Sequence, residues 1–208
     1  MKLYDWAAAP NPRRVRIFLA EKGIEIPKEQ VANGMELAAD YKRRYPHAMV
    51  PMLELDDGTC LGECMAICRY LEELHPEPAL MGRDAREKAL VEMWERRAEL
   101  EGLHAVGEVF RNTAPDFAQR SLPGLGNSVP AIPALIERGK VRLAAFFKKF
   151  DAQLEENEYV AGANYSVADI TALCSIDFAS WIDTSIPEDC RHLQRWYAQV
   201  SARESAAA

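Results

Sequence analysis

The chain has 208 residues, 49% of them apolar, and a formal net charge of -7. That length fills one or two ordinary cores, the apolar share excludes global disorder, and the acidic balance argues against nucleic acid or an anionic membrane as the main partner. No apolar run approaches the roughly 20 residues that cross a bilayer, and the start of the chain has no long apolar core, so neither a membrane span nor a signal peptide is expected.

Residues 2–6 (Lys-Leu-Tyr-Asp-Trp) read as a short strand, followed by the loop Ala7-Ala8-Ala9-Pro10. A helix follows, with Asn11 suited to its N-cap and Pro12 to its first position, an apolar stripe at Val15, Phe18 and Leu19, and Gly23 as its stop. Arg13, Arg14 and Arg16 form the one basic cluster, short enough to be a solvated or an interdomain face. Residues 26–31 are a weak second strand, and 35–44 a short polar helix or irregular turn. Met52–Leu55 and Thr59–Leu61 are strands joined at Asp56-Asp57-Gly58, a strong hairpin signal. A helix then starts near Glu63 or Cys64, with Ile67, Tyr70, Leu71 and Leu74 on one face, and stops at His75-Pro76-Glu77-Pro78.

From about residue 84 the pattern is helical only. Helices are expected over 84–111, 134–156, 167–182 and 189–201, with a Pro- and Gly-rich surface loop over 115–133. The fold class expected is therefore an α/β N-terminal domain (1–78), a linker (79–84) and an all-α C-terminal domain (85–208). The five cysteines are odd in number and lack the spacing of a disulfide framework, which fits a reducing compartment and a cytoplasmic location. Cys60, Cys64 and Cys68 are four apart, but there is no Cys-x-x-Cys or His-Glu-x-x-His and the histidines are scattered, so no metal is expected.

Four segments taken together carry a family resemblance: Ala-Pro-Asn-Pro-Arg-Arg-Val-Arg-Ile-Phe-Leu-Ala-Glu-Lys-Gly (9–23), Val-Pro-Met-Leu-Glu-Leu (50–55), Gly-Glu-Cys-Met-Ala-Ile-Cys-Arg-Tyr-Leu (62–71) and Ala-Gly-Ala-Asn-Tyr-Ser-Val-Ala-Asp-Ile (161–170). In this order and spacing the chain resembles the bacterial cytosolic glutathione transferases over essentially its whole length. The resemblance implies a thioredoxin-like first domain, a helical-bundle second domain, a homodimer and glutathione as cosubstrate. It also implies attack of the glutathione thiolate on a small hydrophobic electrophile.

It implies a cis Val50–Pro51 bond, with the Val50 backbone serving the cysteinyl part of glutathione; read alone, Pro51 is a trans proline opening an edge strand. It implies that Glu63 and the helix start at Cys64 hold the γ-glutamyl end, where helix N–H groups favour a carboxylate. The family usually has Ser where this chain has Cys64, a weaker donor. His47, or Arg43, would face the glycyl carboxylate. Ser166 and Asp169 read as a capping box, with Tyr165 and Ile170 as its hydrophobic staple.

The thiolate needs a donor, because a thiol of ordinary pKa is only a few per cent ionised at neutral pH. The position resembling the family's usual serine is Ala9, which has none. Asn11 is the first polar side chain after Trp6 and has two compatible readings, helix cap and amide donor to the thiolate; Arg13 is a further candidate. The electrophile site is expected between the domains, lined by Trp6, Trp94, Arg97, Glu101, His104 and Phe110. The alternatives are a glutathione-dependent peroxidase or reductase, which Ala9 favours, and a non-catalytic interaction protein on the same fold, against which Val50–Pro51 and Glu63 argue.

Overall fold

The computed structural model describes residues 1–31, 38–125 and 129–208. Positions 35–37 of the expected polar helix, and Gly126 of the expected loop, lie outside the described residues.

The first domain is built on β1 (Lys2–Asp5), α1 (Pro10–Lys22), β2 (Lys28–Gln30), α2 (Ala39–Arg44), β3 (Met52–Glu54), β4 (Cys60–Gly62) and α3 (Cys64–Leu74). The sheet order is β2-β1-β3-β4, with β1 parallel to β2 and antiparallel to β3, and β3 antiparallel to β4. Alternate side chains take opposite faces of a strand. Leu3 and Leu53 join the main core, whereas Tyr4 and Met52 pack beyond the other face with Val31, Tyr41 and Tyr45. The hairpin forms at Asp56-Asp57-Gly58 as expected, closed by Leu55 N–H donating to Thr59 O at 2.8 Å.

Helix α1 starts earlier than expected. Ala9 is its N-cap in an extended conformation (ψ 139°) and Pro10 takes the first position, so Asn11 lies inside the helix and makes no cap bond. Two prolines suited that position. The choice falls to Pro10 because Asn11 Oδ1 accepts instead from Arg14 Nη1 at 3.0 Å, one turn on.

The second domain holds α4 (Ala85–Arg97), α5 (His104–Thr113), α6 (Ala134–Glu155), α7 (Val167–Ala179) and α8 (Arg191–Ser201). Where an unbroken helix is expected over 84–111, a π turn at Ala98–Leu103 separates α4 from α5. Helix α7 is buried on nearly all sides, which makes it the bundle's central element. The box at its start is present: Asp169 Oδ2 accepts from Ser166 N at 2.9 Å, and Ser166 Oγ from Ala168 N at 3.3 Å. Tyr165 and Ile170 belong to the same core cluster.

The crossing between the domains is pinned. Glu72 Oε1 accepts from Leu80 N and Met81 N at 3.0 and 3.1 Å, and Lys22 Nζ pairs with Glu72 and donates to His75 O and Pro78 O. One apolar cluster runs through both domains, from Phe18 and Leu71 to Phe146, Leu173 and Trp196. The basic cluster of α1 is an interdomain face. Arg13 reaches Asp177 Oδ2 (2.5 Å) and Ala206 O (2.8 Å), and Arg14 reaches Glu95 Oε1 (2.6 Å), Glu99 Oε1 (3.0 Å) and Thr171 Oγ1 (3.0 Å). Arg16 turns back to its own domain, to Asp5 Oδ1 (2.6 Å) and Ala7 O (2.9 Å).

Candidate functional site

Strand register brings the expected site together. Met52 pairs with Tyr4 on one side and with Gly62 on the other. One step along, Pro51 therefore stands between Asp5, which leads into the 6–9 loop, and Glu63, which leads into α3. The Val50–Pro51 bond is cis, as is Glu77–Pro78. Neither the N–H nor the C=O of Val50 has a hydrogen-bond partner among the described residues, which leaves an open peptide edge beside Pro51.

At the far side of this edge Glu63 holds φ +63° and ψ 123° ahead of α3. For a residue with a Cβ, such a conformation costs on the order of 1–3 kcal/mol and persists where the surroundings impose it. The corner before it is crowded. A Cβ on Gly62 would lie 1.7 Å from Tyr45 Oη, so the tyrosine hydroxyl sits directly over the glycine and leaves no room for a side chain there. Cys64, first in α3, is buried, and its Sγ donates to Asn11 O at 3.2 Å. The first turns of α1 and α3 therefore abut, and their free N–H ends share one region. Burial pushes the Cys64 thiol up to about 12, against the pull of Arg14.

The 7–9 loop carries no side-chain donor, as its alanines dictate, but it is rigidly held. Asp5 joins Arg16 and Gln30 Nε2 (3.0 Å), Gln30 Oε1 accepts from Ala7 N (3.1 Å), and Ala9 N donates to Trp6 O (2.9 Å). Asn11 is exposed beside this loop.

His47 is exposed and its ring lies 5.2 Å from that of Tyr45. A Cβ on Gly124, at φ +75°, would meet His47 O at 2.8 Å and Met49 Cγ at 3.6 Å. The loop after α5 thus rests its backbone on the segment that leads into Pro51. Arg43 is turned away to an exposed pair with Asp40.

Of the residues expected to line an electrophile site, Trp6 stands at the end of β1 and His104 opens α5 with an exposed edge. Desolvation lowers the His104 pKa; Glu99 opposes this and Arg14 adds to it, so the ring lies in the field of that pair. Arg97 requires a correction, and Trp94 a partial one. Trp94 packs edge-on against Phe150 (5.4 Å) and carries the Arg97 guanidinium on its ring (4.7 Å). Both line a groove of about 450 Å³ with Glu101, Lys149 and Gln153, formed wholly by the helical domain. Helix α4 presents Glu95 to α1 and α7 and turns Arg97 toward α6, while Trp94 also lines a cavity of about 630 Å³ with Glu21, Glu77 and Pro78 of the first domain.

Phe110 belongs to an aromatic basin with Phe117 (5.3 Å), Phe178 (5.4 Å) and the half-exposed Trp181 (5.5 Å). Phe178 and Trp181 fall within the helix expected over 167–182, but their meeting with Phe110 has no local signal. Among the described residues no group of His, Cys, Asp and Glu is arranged to hold a metal ion.

A thioredoxin-like domain with a cis-proline turn, joined to a helical bundle across α1, defines the class of this protein. The family models for the glutathione S-transferase N-terminal and C-terminal domains match residues 3–79 and 123–204. The chain is 35% identical to Glutathione S-transferase 2 of Saccharomyces cerevisiae, over 99% of this chain and 87% of that one. Its fold matches a glutathione S-transferase domain-containing protein of Marinobacter aquaeolei (TM-score 0.89, 36% identity, 99% of each chain). It also matches a glutathione S-transferase of class Gtt2 of Vibrio parahaemolyticus (TM-score 0.83, 37% identity, 99% and 94% of the two chains). The chain belongs to the glutathione S-transferase family of enzymes.

Proposed function

We propose that the protein binds glutathione at the junction of Val50–Pro51, Glu63–Cys64 and the start of α1, and transfers its thiolate to a small hydrophobic electrophile. The observation that carries this reading is the open peptide edge of Val50 beside Pro51, facing the abutting starts of α1 and α3. In this reading Val50 pairs with the cysteinyl backbone, as an added strand would. The α3 N–H groups take the γ-glutamyl carboxylate and Glu63 its ammonium. His47 serves the glycyl end. Cys64 contributes its backbone N–H, because its thiol is committed to Asn11 O. Ala9 contributes only the shape of the loop, and Asn11 Nδ2 is the thiolate donor. The aromatic basin of Phe110 and Trp181, with Trp6 and His104, receives the electrophile. The protein acts as a cytoplasmic homodimer without a metal.

Titration calorimetry with glutathione tests the binding step, and turnover of halogenated and unsaturated electrophiles tests the transfer. Glu63→Ala is expected to weaken binding at least tenfold, about 1.4 kcal/mol. An absence of binding heat in the unaltered protein refutes the reading. Binding without turnover on any electrophile favours the alternative that Ala9 supports, a glutathione-binding protein with little conjugation activity that works as a peroxidase or reductase. The reductase alternative draws no support from Cys64, whose thiol is buried and held far above the thiolate range.

A further inference from the structure

We infer that Arg14 is a positioning residue for thiol activation: from a socket supplied by the helical domain, it locks the Asn11 amide with its NH2 group turned outward. This rests on the reading of Asn11 as the thiolate donor and adds how that donor is set.

The geometry leaves one orientation. Arg14 Nη1 lies 3.0 Å from the Asn11 amide. A guanidinium has only donors, so the atom facing it is the amide oxygen, and Nδ2 must point the other way. No protein acceptor takes Nδ2 among the described residues, and Asn11 is exposed. The flipped amide, which would present an oxygen to a thiolate, would also turn NH2 against Arg14 and is excluded. An oxygen bonded to a cation also polarises the amide, which makes Nδ2 a better donor.

Arg14 can do this because it does not move. Its side chain is 1% exposed. Nη2 donates to Glu95 Oε1 at 2.6 Å on α4, Nε to Thr171 Oγ1 at 3.0 Å on α7, and Nη1 is shared with Glu99 Oε1 at 3.0 Å in the π turn. Cys64 of α3 lies within its electrostatic reach, with its thiol committed to Asn11 O. Three acceptors from the second domain thus hold the group that orients a side chain of the first. Charge alone does not explain the arrangement. Glu95 and Glu99 oppose Arg14 and Arg96, which pairs with the other oxygen of Glu99, so the cluster sums to zero. What Arg14 supplies to a thiolate is orientation.

The experiment reads the thiol pKa of bound glutathione from its ultraviolet thiolate absorbance against pH. Asn11→Ala, Arg14→Lys and the double variant are compared with the unaltered protein. Lysine keeps the charge beside Glu95 but its single ammonium cannot also hold the amide oxygen. Asn11→Ala is expected to raise the thiol pKa by about one unit, a tenfold loss of thiolate at neutral pH. Arg14→Lys is expected to raise it by at least half as much, and to add nothing once Asn11 is alanine. If Arg14→Lys leaves the pKa where it was while Asn11→Ala raises it, the positioning role is overturned and the donor role of Asn11 stands. If Asn11→Ala has no effect, both fall. Should Arg14→Lys fail to fold, relaxation of the Asn11 side-chain NH2 in the unaltered, ligand-free protein decides. An order parameter near the rigid backbone value of about 0.85 supports the lock, and one below about 0.6 overturns it.

Discussion

Replacing Asp169 with alanine strips one buried carboxylate of its partners. Oδ1 accepts from Val160 N at 2.8 Å and Trp196 Nε1 at 2.8 Å, and Oδ2 from Ser166 N at 2.9 Å and Ser166 Oγ at 3.1 Å. Val160 and Trp196 are fully buried, so water cannot replace the lost acceptor. An orphaned buried donor costs about 1–3 kcal/mol and a lost cap about 1. Because the donors share one partner the losses do not simply add, and about 4 kcal/mol is expected. At about 2–4 °C per kcal/mol for a chain of this length, the midpoint of thermal unfolding drops by about 8–16 °C. The milder change Asp169→Asn keeps an oxygen for Val160 and Trp196 but sets an NH2 group against Ser166 N–H, so its cost falls between. The pH dependence adds a second check. Burial pushes Asp169 up to about 6 from 3.8, with its hydrogen bonds opposing. Between those values the folded state keeps a proton that the unfolded chain has lost, so stability declines as pH rises from about 4 to about 6. The decline amounts to at most about 3 kcal/mol. Scanning calorimetry across that pH range, on the unaltered protein and on Asp169→Ala, measures both quantities. A midpoint shift below about 3 °C, or the same pH slope in the two proteins, refutes the reasoning.

Thiol reactivity should be confined to one position. Cys60 is partly exposed while Cys64, Cys68, Cys174 and Cys190 are buried, so a disulfide reagent applied to the native protein titrates about one thiol per chain. Cys60→Ser is expected to abolish that fast phase, as peptide mass mapping would register. Gly124→Ala forces a Cβ to 2.8 Å from His47 O at φ +75° and lifts the loop off the segment before Pro51. Steady-state kinetics should show a several-fold higher KM for glutathione, and an unchanged KM refutes the contact's role. Trp181→Ala opens the aromatic basin, which raises KM for apolar electrophiles several-fold while KM for glutathione stays constant; equal changes in both would count against the basin as the electrophile site.

Short-range chemistry was the legible part of the sequence. Asp57-Gly58 marked the hairpin, Ile67, Leu71 and Leu74 marked α3, and Ser166 with Asp169 marked the start of α7, because each signal depends on neighbours a few residues apart. The cis bond at Val50–Pro51 was legible only through the family resemblance. The sequence leaves the start of α1 ambiguous because Pro10 and Pro12 suit the same position, and in the fold the Asn11 oxygen goes to Arg14 and Pro10 takes that position. Nothing local to Arg97 shows which partner its side of α4 meets, and it lines the groove against α6 instead of the cleft. Arg14 leaves the least trace in the sequence. Its acceptors lie 81, 85 and 157 positions away in the chain. A lone arginine on a helix gives no local sign that it will be buried, and the π turn that brings Glu99 to it has no sequence signature either.

The same arginine determines how two relatives of this protein could be recombined. A cut at the 79–84 crossing looks natural, since it separates sheet from bundle. Yet Arg14 lies on one side of that cut while Glu95, Glu99 and Thr171 lie on the other. A hybrid that inherits the arginine from one parent and a foreign α4 and α7 from the other would trap a cation without acceptors, at about 3–5 kcal/mol. Compatible halves are therefore those that match across α1, α4 and α7, however freely their linkers can be joined.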